Sequence, residues 1–576
     1  MGPVNHPHLA ALHDALRDEE RTAQDELGRL DRSDSDEQIA VGHAWPPLRV
    51  RSAERTGRAV RVFCAPARGV SLHDGLTPGD AVWFTVHGQD RPGTVESVED
   101  AGVEIRIEGD EPPDGAPANV RRRHDPSTFI RYRQALERAD EHRSELRSVL
   151  LGDRPPTEVR LPSLLVGLNE AQQIAAGVAL RTADLALIHG PPGTGKTRLL
   201  GSVLRALVDD GDRPWALADS NAAVDNLALA AANEGLVVVR IGPLARFRAE
   251  VHALALETRV REGPFGQALA ALERDLKRTW GTLEGHRVRA ERDKVRDTAR
   301  EHAIASAQVI ATTFGTLARI APTLPPPGTA VVDEATQAIE PAVWAAVPFV
   351  QRLVLVGDPH QLGPVVKTRQ SLLSVSLLER LVARGLPMPM LTVQHRMVGS
   401  LRALVSDVYG PTYVDAQGLP WGDGAASFID TAGKGAEERD TVTGSTFEPA
   451  EIEVVRDTVR ALRTEGFAAS DIAVITPYSA QVTRLRALAE LAGVAVGTVN
   501  SWQGREARAV VVSFVRSNPD GELGFLADER RLTVSLTRAR ERLVLVGDSG
   551  TLARHPRFAR LIDTIAMAGG LRSVWE

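Results

Sequence analysis

Cysteine is almost missing from this chain: Cys64 is the one cysteine among 576 residues. That excludes intramolecular disulfides, zinc ribbons and cysteine-ligated iron–sulfur clusters, and it suits a reducing compartment, so a cytoplasmic location is expected. Long apolar runs are missing too. The longest, Ala342–Val350, has nine residues, too few to span a bilayer. The first twenty residues lack the cationic start and apolar core of a signal peptide. Nor is there an excess of positive charge: 68 basic residues against 75 acidic ones leave a net charge of −7. A general cationic coat is therefore ruled out, although a local basic channel is not, because binding follows where charge sits. What remains, 43% apolar and 25% charged, is the composition of a soluble globular protein. At roughly 150 residues per domain the length suggests about four domains.

Residues 1–50 read as an N-terminal helical segment, with a charged helix from His8 to about Leu30. From Val60 the period changes to two: Val60, Val62 and Cys64 alternate with Arg61 and Phe63. Val82, Phe84 and Val86, and then Val103, Ile105 and Ile107, repeat the pattern. Gly79 and Gly93 are taken as breaks. Short alternating strands at such intervals predict a small antiparallel barrel over 51–122. The run Arg121-Arg122-Arg123-His124, continuing to about Val149, predicts a helical stalk over 123–160. Arg121 to Arg123, with Arg131 and Arg133, read either as a phosphate-steering patch or as a solvated helix end.

Apolar runs typical of parallel strands buried on both faces follow. They are Leu185–Ile188, Trp215–Ala218, Val309–Ala311, Ala330–Val332 and Leu353–Val356, then Ile472–Ile475, Ala509–Val512 and Leu543–Val546. Helical segments separate them, which predicts two doubly wound α/β sheets, over 161–243 with 306–385 and over 386–576. A helical insertion is expected over 244–305, between the second and third of these runs. It carries an apolar face of Leu269, Leu272, Leu276 and Trp280. Ten of the seventeen residues from His286 to His302 are charged, so this part reads as a solvated arm. Gly410 to Ser445 reads as an irregular surface connection.

The strongest local signal is Gly190-Pro191-Pro192-Gly193-Thr194-Gly195-Lys196-Thr197, placed between an apolar strand and a helical run. Its glycines let backbone N–H groups converge on phosphates at a helix N-terminus. Lys196 is then expected on the β- and γ-phosphates of ATP, and the Thr197 hydroxyl on Mg²⁺. Asp333 and Glu334 end an apolar strand 137 residues after Lys196. Asp333 is the expected Mg²⁺ holder, directly or through water, and Glu334 the base that orients the attacking water. Gln361, in Gly357-Asp-Pro-His-Gln-Leu-Gly-Pro364, is expected to face the γ-phosphate. Arg396 in Gln394-His-Arg-Met397 and Arg538 in Leu536-Thr-Arg-Ala-Arg540 are expected to neutralise transition-state charge from the second sheet.

Taken together, these motifs resemble those of superfamily 1 helicases of the Upf/Smubp-like class, the 5′→3′ branch. Further matches are Ser220-Asn-Ala-Ala-Val-Asp-Asn-Leu227, Asp333-Glu-Ala-Thr-Gln337, Thr476-Pro-Tyr478 and Val499-Asn-Ser-Trp-Gln-Gly-Arg-Glu506. Gly524-Phe-Leu526 and Asp430-Thr-Ala-Gly433 look most like the immunoglobulin-mu-binding-protein helicases. The resemblance implies two tandem RecA-like P-loop domains with the barrel, stalk and arm as accessories. It also implies ATP-driven movement on single-stranded DNA or RNA and at duplex junctions, by a monomer with no membrane, zinc or iron–sulfur requirement. By position, Gln172 would hold the adenine edge, His395 would face the base and Glu506 would bind the ribose hydroxyls. Ser220, Asn221, Thr312, Thr313, Pro477, Tyr478, Thr498 and Trp502 would lie along the strand. Tyr478 and Trp502 are read as base-stacking side chains, with a core role as the alternative.

Four residues depart from the family pattern: His395 replaces a base-stacking tyrosine, Asn500 an aspartate, and Thr533 and Glu448 asparagines. None belongs to the phosphate machinery. Two other classes of function share part of this signal: an ATP-switched nucleic-acid binder that does not unwind, and an unrelated P-loop kinase. The second has no use for cross-domain arginines.

Overall fold

A computed structural model describes residues 4–56, 59–66, 76–99, 101–157, 165, 167–279, 283–368, 370–441 and 443–576. The N-terminal helix Pro7–Leu30 buries Leu9, Leu12 and Leu16 against Tyr132, Leu136 and Trp344. Glu19 on the same helix accepts the backbone N–H groups of Lys367 and Thr368 at 2.7 and 2.9 Å. The helix predicted from its charge is therefore amphipathic, and its apolar stripe joins the core of the first sheet.

A closed barrel follows, with strands β1 (Leu48–Thr56), β2 (Ala59–Pro66), β3 (Ala81–Val86), β4 (Gln89–Glu99), β5 (Gly102–Glu108) and β6 (Pro117–Arg122) in the order β1-β2-β5-β4-β3-β6. The alternation read from sequence is the inward face: Val60, Val62, Cys64, Val82, Phe84, Val103, Ile105 and Ile107 are all fully buried. Three strands escaped the sequence reading, and Gly93 is a correction. It lies inside β4 rather than at a break, because a Cβ there would sit 3.0 Å from Ile107 and 3.3 Å from Ile105, and only glycine lets the strands close at that point. The tight turn is His87-Gly88, where both residues have positive φ, as a two-residue hairpin requires.

Arg121 and Arg122 belong to β6, not to a helix end. Arg121 pairs with Asp31 and Asp90, Arg122 pairs with Asp80, and Arg123 stacks on Trp83. That basic run is engaged by acidic and aromatic partners on the outside of the barrel, and Arg133 pairs with Glu20. The expected stalk is two helices, Ser127–Glu141 and Glu145–Leu151. Tyr132, Ala135, Leu136, Ala139, Leu146, Val149 and Leu150 pack into the first sheet's core.

The first sheet comprises β7 (Leu185–His189), β8 (Trp215–Ala218), β9 (Val238–Ile241), β10 (Val309–Thr313), β11 (Thr329–Val332) and β12 (Arg352–Gly357), all parallel, in the order β7-β12-β11-β8-β10-β9. Alternate residues of one strand serve opposite faces: Leu353 and Leu355 enter one apolar cluster, Val354 and Val356 another. This two-sided burial is why these strands read as unbroken apolar runs. Helices Leu256–Glu262, Gly266–Arg278 and Leu283–Ser306 follow β9, so the insertion lies one strand later than expected. Leu269 and Leu276 are buried as predicted; Trp280 lies outside the described residues.

Two short ribbons, β13 (Val393–Gln394) with β14 (Val414–Asp415) and β16 (Glu438–Arg439) with β17 (Thr446–Phe447), flank the second sheet. That sheet holds β15 (Ala426–Asp430), β18 (Ile472–Thr476), β19 (Ala495–Thr498), β20 (Ala507–Ser513), β21 (Ala539–Gly547) and β22 (Leu571–Ser573). Their order is β19-β18-β20-β21-β15-β22, again all parallel. The Gly-rich segment from Gly410 to Ser445 is thus not merely a surface connection. It contributes β15, whose Phe428 is fully buried. Among the described residues no helix is long and apolar enough to cross a membrane.

A candidate active site at the seam between the two sheets

β7 stops at His189, and the chain turns through Gly190–Gly195 into the helix Lys196–Asp209. Gly193 and Gly195 have φ of 73° and 76°, a region that side chains with a Cβ rarely adopt. At Gly193 the approach is also close, since a Cβ there would lie 2.7 Å from the Cβ of Arg396. The loop therefore opens its backbone toward a cleft of about 290 Å³. Gly190–Thr197, Asp333, Glu334 and Gln361 line it from the first sheet, and His395, Arg396, Glu506 and Arg538 from the second. Ser220, assigned by sequence to the strand path, lines this cleft as well.

β11 delivers the acidic pair. Glu334 has φ of 51°, a left-handed conformation that costs a non-glycine residue about 1–3 kcal/mol and persists where the surroundings impose it. It brings the carboxylate back over the loop, where Oε1 accepts from Lys196 Nζ at 2.6 Å and Oε2 from Gln337 Nε2 at 2.9 Å. Asp333 Oδ1 lies 3.7 Å from Lys196 Nζ. Burial alone would pull Lys196 down, but Glu334 and Asp333 outweigh it and hold the ammonium above its ordinary value. Burial likewise pushes Glu334 up, and the contact with Lys196 more than reverses that. Asp333 has the weaker contact, and burial raises it to about 6.

The opposite wall is arginine. Arg538 is 1% exposed. Its guanidinium donates to the carbonyls of Val534 and Arg505 at 3.0 and 3.1 Å and, across the seam, to Gln361 Oε1 at 3.3 Å. Burial, with repulsion from Arg396, pushes it down to about 10. Arg396 forms an ion pair with Glu506, and the Glu506 carboxylate also lies 3.7 Å from Arg540. His395 donates its backbone N–H to Gly193 O at 2.8 Å. The phosphate-facing residues predicted from sequence are thus brought together from both sheets.

The other residues singled out by sequence lie outside this lining or in its walls. Gln172 is outside the cleft lining: its amide caps its own helix through Asn169 and donates to Thr194 O at 3.0 Å. Thr312 is fully buried, with its hydroxyl on Ile241 O. Trp502 is 3% exposed within the second sheet's core, with Arg505 4.5 Å above its ring. Tyr478 is 5% exposed, and its hydroxyl lies 3.3 Å from Arg516 Nη1. Both rings are buried, as is Pro477, which precedes Tyr478. Asn221 accepts from the buried Arg240 at 2.8 Å. Thr313 caps the helix Phe314–Ile320, and Thr498 is half-buried. The departing residues Thr533 and Glu448 are buried, and Asn500 accepts from Arg531 at 2.9 Å.

Sequence reasoning missed Asp358, Tyr409 and Tyr413. Tyr413 donates to Pro192 O at 2.6 Å and Tyr409 to Asp358 Oδ2 at 2.7 Å, so both cross the seam. The chain has only four tyrosines, and two of them stand four apart in a Gly-rich stretch; that was the available signal. A second cavity of about 320 Å³, lined by Tyr132, Asp219, Val365 and Asn500, shares Gln337 and Gln503 with the first.

Two lobes that close a glycine-rich phosphate loop against paired arginines define a P-loop NTP hydrolase of the helicase kind. Residues 167–288 and 266–369 match one AAA domain family model, and residues 373–550 match another. Among curated proteins, the chain is 30% identical over 476 residues to the DNA polymerase alpha-associated DNA helicase A of Schizosaccharomyces pombe, covering 74% of this chain and 71% of that one. It is 31% identical over 503 residues to the DNA-binding protein SMUBP-2 of Mesocricetus auratus (78% and 50%) and 33% identical over 436 residues to the ATP-dependent helicase NAM7 of Saccharomyces cerevisiae (71% and 44%). The chain thus spans about half the length of the latter two. A solved complex of Arterivirus nonstructural protein 10 (helicase) with DNA aligns more loosely, at 16% identity and a TM-score of 0.39 over 86% of this chain and 80% of that one. The chain belongs to the superfamily 1 helicases of the Upf1-like family.

Proposed function

We propose that this chain is an ATP-driven translocase that moves 5′→3′ on single-stranded nucleic acid and opens duplexes ahead of it. The observation that carries the reading is the seam: Lys196, Asp333 and Glu334 on one wall face Arg396 and Arg538 on the other across a single cleft. In this reading the two sheets are RecA-like domains, over 161–243 with 306–385 and over 386–576. The barrel and the helical insertion are accessories that frame the strand. The chain acts as a monomer in the cytoplasm.

The Gly190–Gly195 amides and Lys196 bind the triphosphate, and Glu334 orients water and takes its proton. Arg396 and Arg538 neutralise charge on the transferring phosphoryl group, a contribution of about 10³–10⁵ in rate. The Thr197 hydroxyl and the Asp333 carboxylate form a hard-oxygen donor pair suited to Mg²⁺. When bound, Mg²⁺ supplies charge neutralisation on the phosphate oxygens. Glu506, freed from Arg396, binds the ribose. Because the arginines and the loop belong to different sheets, closing on ATP and reopening after hydrolysis changes the spacing of the lobes. The second cavity, which shares Gln337 and Gln503 with the cleft, gives a strand a route to the Glu334 partner Gln337. Residues along that route replace Trp502 and Thr312, whose side chains are buried.

ATP turnover measured with single-stranded DNA, with single-stranded RNA and with neither tests the reading. It is paired with unwinding of duplexes carrying a 5′ or a 3′ tail. Stimulation by a strand and unwinding from the 5′ tail are expected. Turnover indifferent to both strands refutes the translocase, and stimulation without unwinding of either tailed duplex reduces it to an ATP-switched binder.

A further inference from the structure

We infer that Tyr409 is a positioning residue that ties the second lobe to Gln361 through the Asp358 carboxylate, so that the phosphate-facing amide is aimed only while the seam is closed. The inference rests on the ATP site proposed above. Asp358 directly follows β12 and is fully buried. Its Oδ2 accepts from Tyr409 Oη and from Gln361 Nε2, each at 2.7 Å; its Oδ1 lies 3.0 Å from His189 Nε2 and accepts the His360 backbone N–H at 3.0 Å.

A carboxylate only accepts hydrogen bonds, so all four neighbours must present a hydrogen to it. This fixes the Gln361 amide, with nitrogen toward Asp358 and oxygen toward the Arg538 guanidinium at 3.3 Å. Turned over, the amide would set its oxygen against a buried carboxylate and its N–H₂ against a guanidinium that also only donates. Asp358 therefore decides which way Gln361 points. Burial pushes Asp358 up, but its bonds to His189, Gln361 and Tyr409 hold it below the ordinary carboxylate value, as an ionised acceptor requires.

Tyr409 is the member that comes from the other lobe. Its ring lies 5.0 Å from Tyr413 and 5.6 Å, edge-on, from His360, and Tyr413 holds Pro192 in the phosphate loop. Opening the seam withdraws one of four donors from a buried charge, and the bond on the same oxygen, from Gln361, then loses its fixed geometry. The device reports lobe closure to the γ-phosphate site without touching nucleotide.

The test is Tyr409→Phe, which keeps the ring and removes the hydroxyl, in a cycle with Gln361→Ala. ATP turnover of the full chain is measured at saturating single strand. The expected result for Tyr409→Phe alone is a fall in kcat of about tenfold, the scale of a lost bond to a charged group, with the KM for ATP changed less than about twofold. In the Gln361→Ala background the same substitution is expected to change kcat less than about twofold. Asp358→Asn, run through the same cycle, is expected to repeat that dependence on Gln361 and serves if Tyr409→Phe does not fold. An equal loss in both backgrounds, or a Tyr409→Phe kcat within twofold of wild type, overturns the inference. Wild-type turnover that ignores strands defeats the proposed translocase instead, and the cycle is then read on turnover without a strand.

Discussion

Replacing Glu334 with glutamine separates its two tasks. In the structure one carboxylate oxygen holds Lys196 at 2.6 Å and the other accepts from Gln337 at 2.9 Å. Glutamine has the same length and the same backbone demand at φ 51°. It keeps an acceptor for Lys196 but loses the charge and the basicity. Loss of a general base costs about 10²–10⁴ in rate, so kcat is expected to fall about 10³-fold, or about 4 kcal/mol in the activation energy of the hydrolytic step. Nucleotide binding moves the other way. A carboxylate about 5 Å from a phosphate charge opposes it by about 3 kcal/mol at an effective dielectric constant of 20, and screening in an open cleft leaves only part of that. Affinity for ATP should therefore stay equal or tighten by up to about tenfold, and Lys196 retains Asp333 at 3.7 Å, so folding is little affected. Steady-state turnover with saturating strand, together with equilibrium binding of a fluorescent ATP analogue, reads both effects. Turnover within tenfold of wild type, or loss of nucleotide affinity, refutes the assignment of Glu334 as base.

Arg538→Lys should lower kcat by about 10³, because an ammonium cannot reproduce the bonds to Val534 O, Arg505 O and Gln361 together; turnover above a tenth of wild type would count against it. Glu451 is a fully buried carboxyl that accepts from Ser513 Oγ and the Val515 N–H, and burial raises it to about 8 from 4.5. The folded chain thus keeps a proton that the unfolded chain releases, so its contribution is greatest below about pH 4.5 and declines up to about pH 8. Thermal unfolding should show stability falling over that range, and Glu451→Gln should flatten the fall; an unchanged slope would contradict it. Trp502→Ala should cost about 3–5 kcal/mol of stability as a core truncation. A melting point like wild type's, with strand affinity alone reduced, would restore the base-stacking role.

The parts of this molecule legible in its sequence are those where one local pattern has one physical cause. The loop Gly190–Thr197 and the pair Asp333-Glu334 are set by backbone geometry and by charge at strand ends, and both lie where expected. The inward barrel face was legible because side chains alternate along a strand. β9 was missed because Arg240 interrupts its apolar run; the guanidinium is fully buried, held by Asp225 at 3.0 Å and stacked on Phe247, and no single-sequence pattern announces a paired internal charge. β15 was missed because Ala426-Ser-Phe-Ile-Asp430 is short and sits among glycines. Trp502 and Tyr478 show the opposite failure. Their motif position led to the expectation of a strand path, but it carries no information on which way the rings face, and both are buried. The link from Asp358 to Tyr409 joins residues from different sheets, and only folding brings them into contact.

In the proposed mechanism the seam couples nucleotide binding to closure. Its cations are already matched: Lys196 to Glu334 and Asp333, Arg396 and Arg540 to Glu506, and Arg538 to carbonyl oxygens and Gln361. A triphosphate entering this cleft exchanges one set of anionic partners for another, so much of its gross attraction is offset by the pairs it breaks. The surplus appears where the exchange is uneven, at Arg538, whose direct hydrogen bonds go only to neutral oxygens; burial and repulsion from Arg396 outweigh the attraction of Glu334 and Glu506 and leave it lowered to about 10. In the proposed mechanism a γ-phosphate satisfies that arginine and a diphosphate does not. On that reading the difference between the two nucleotides is concentrated on a side chain carried by the second lobe, and loss of the γ-phosphate is expected to release that lobe while leaving Lys196 its carboxylates.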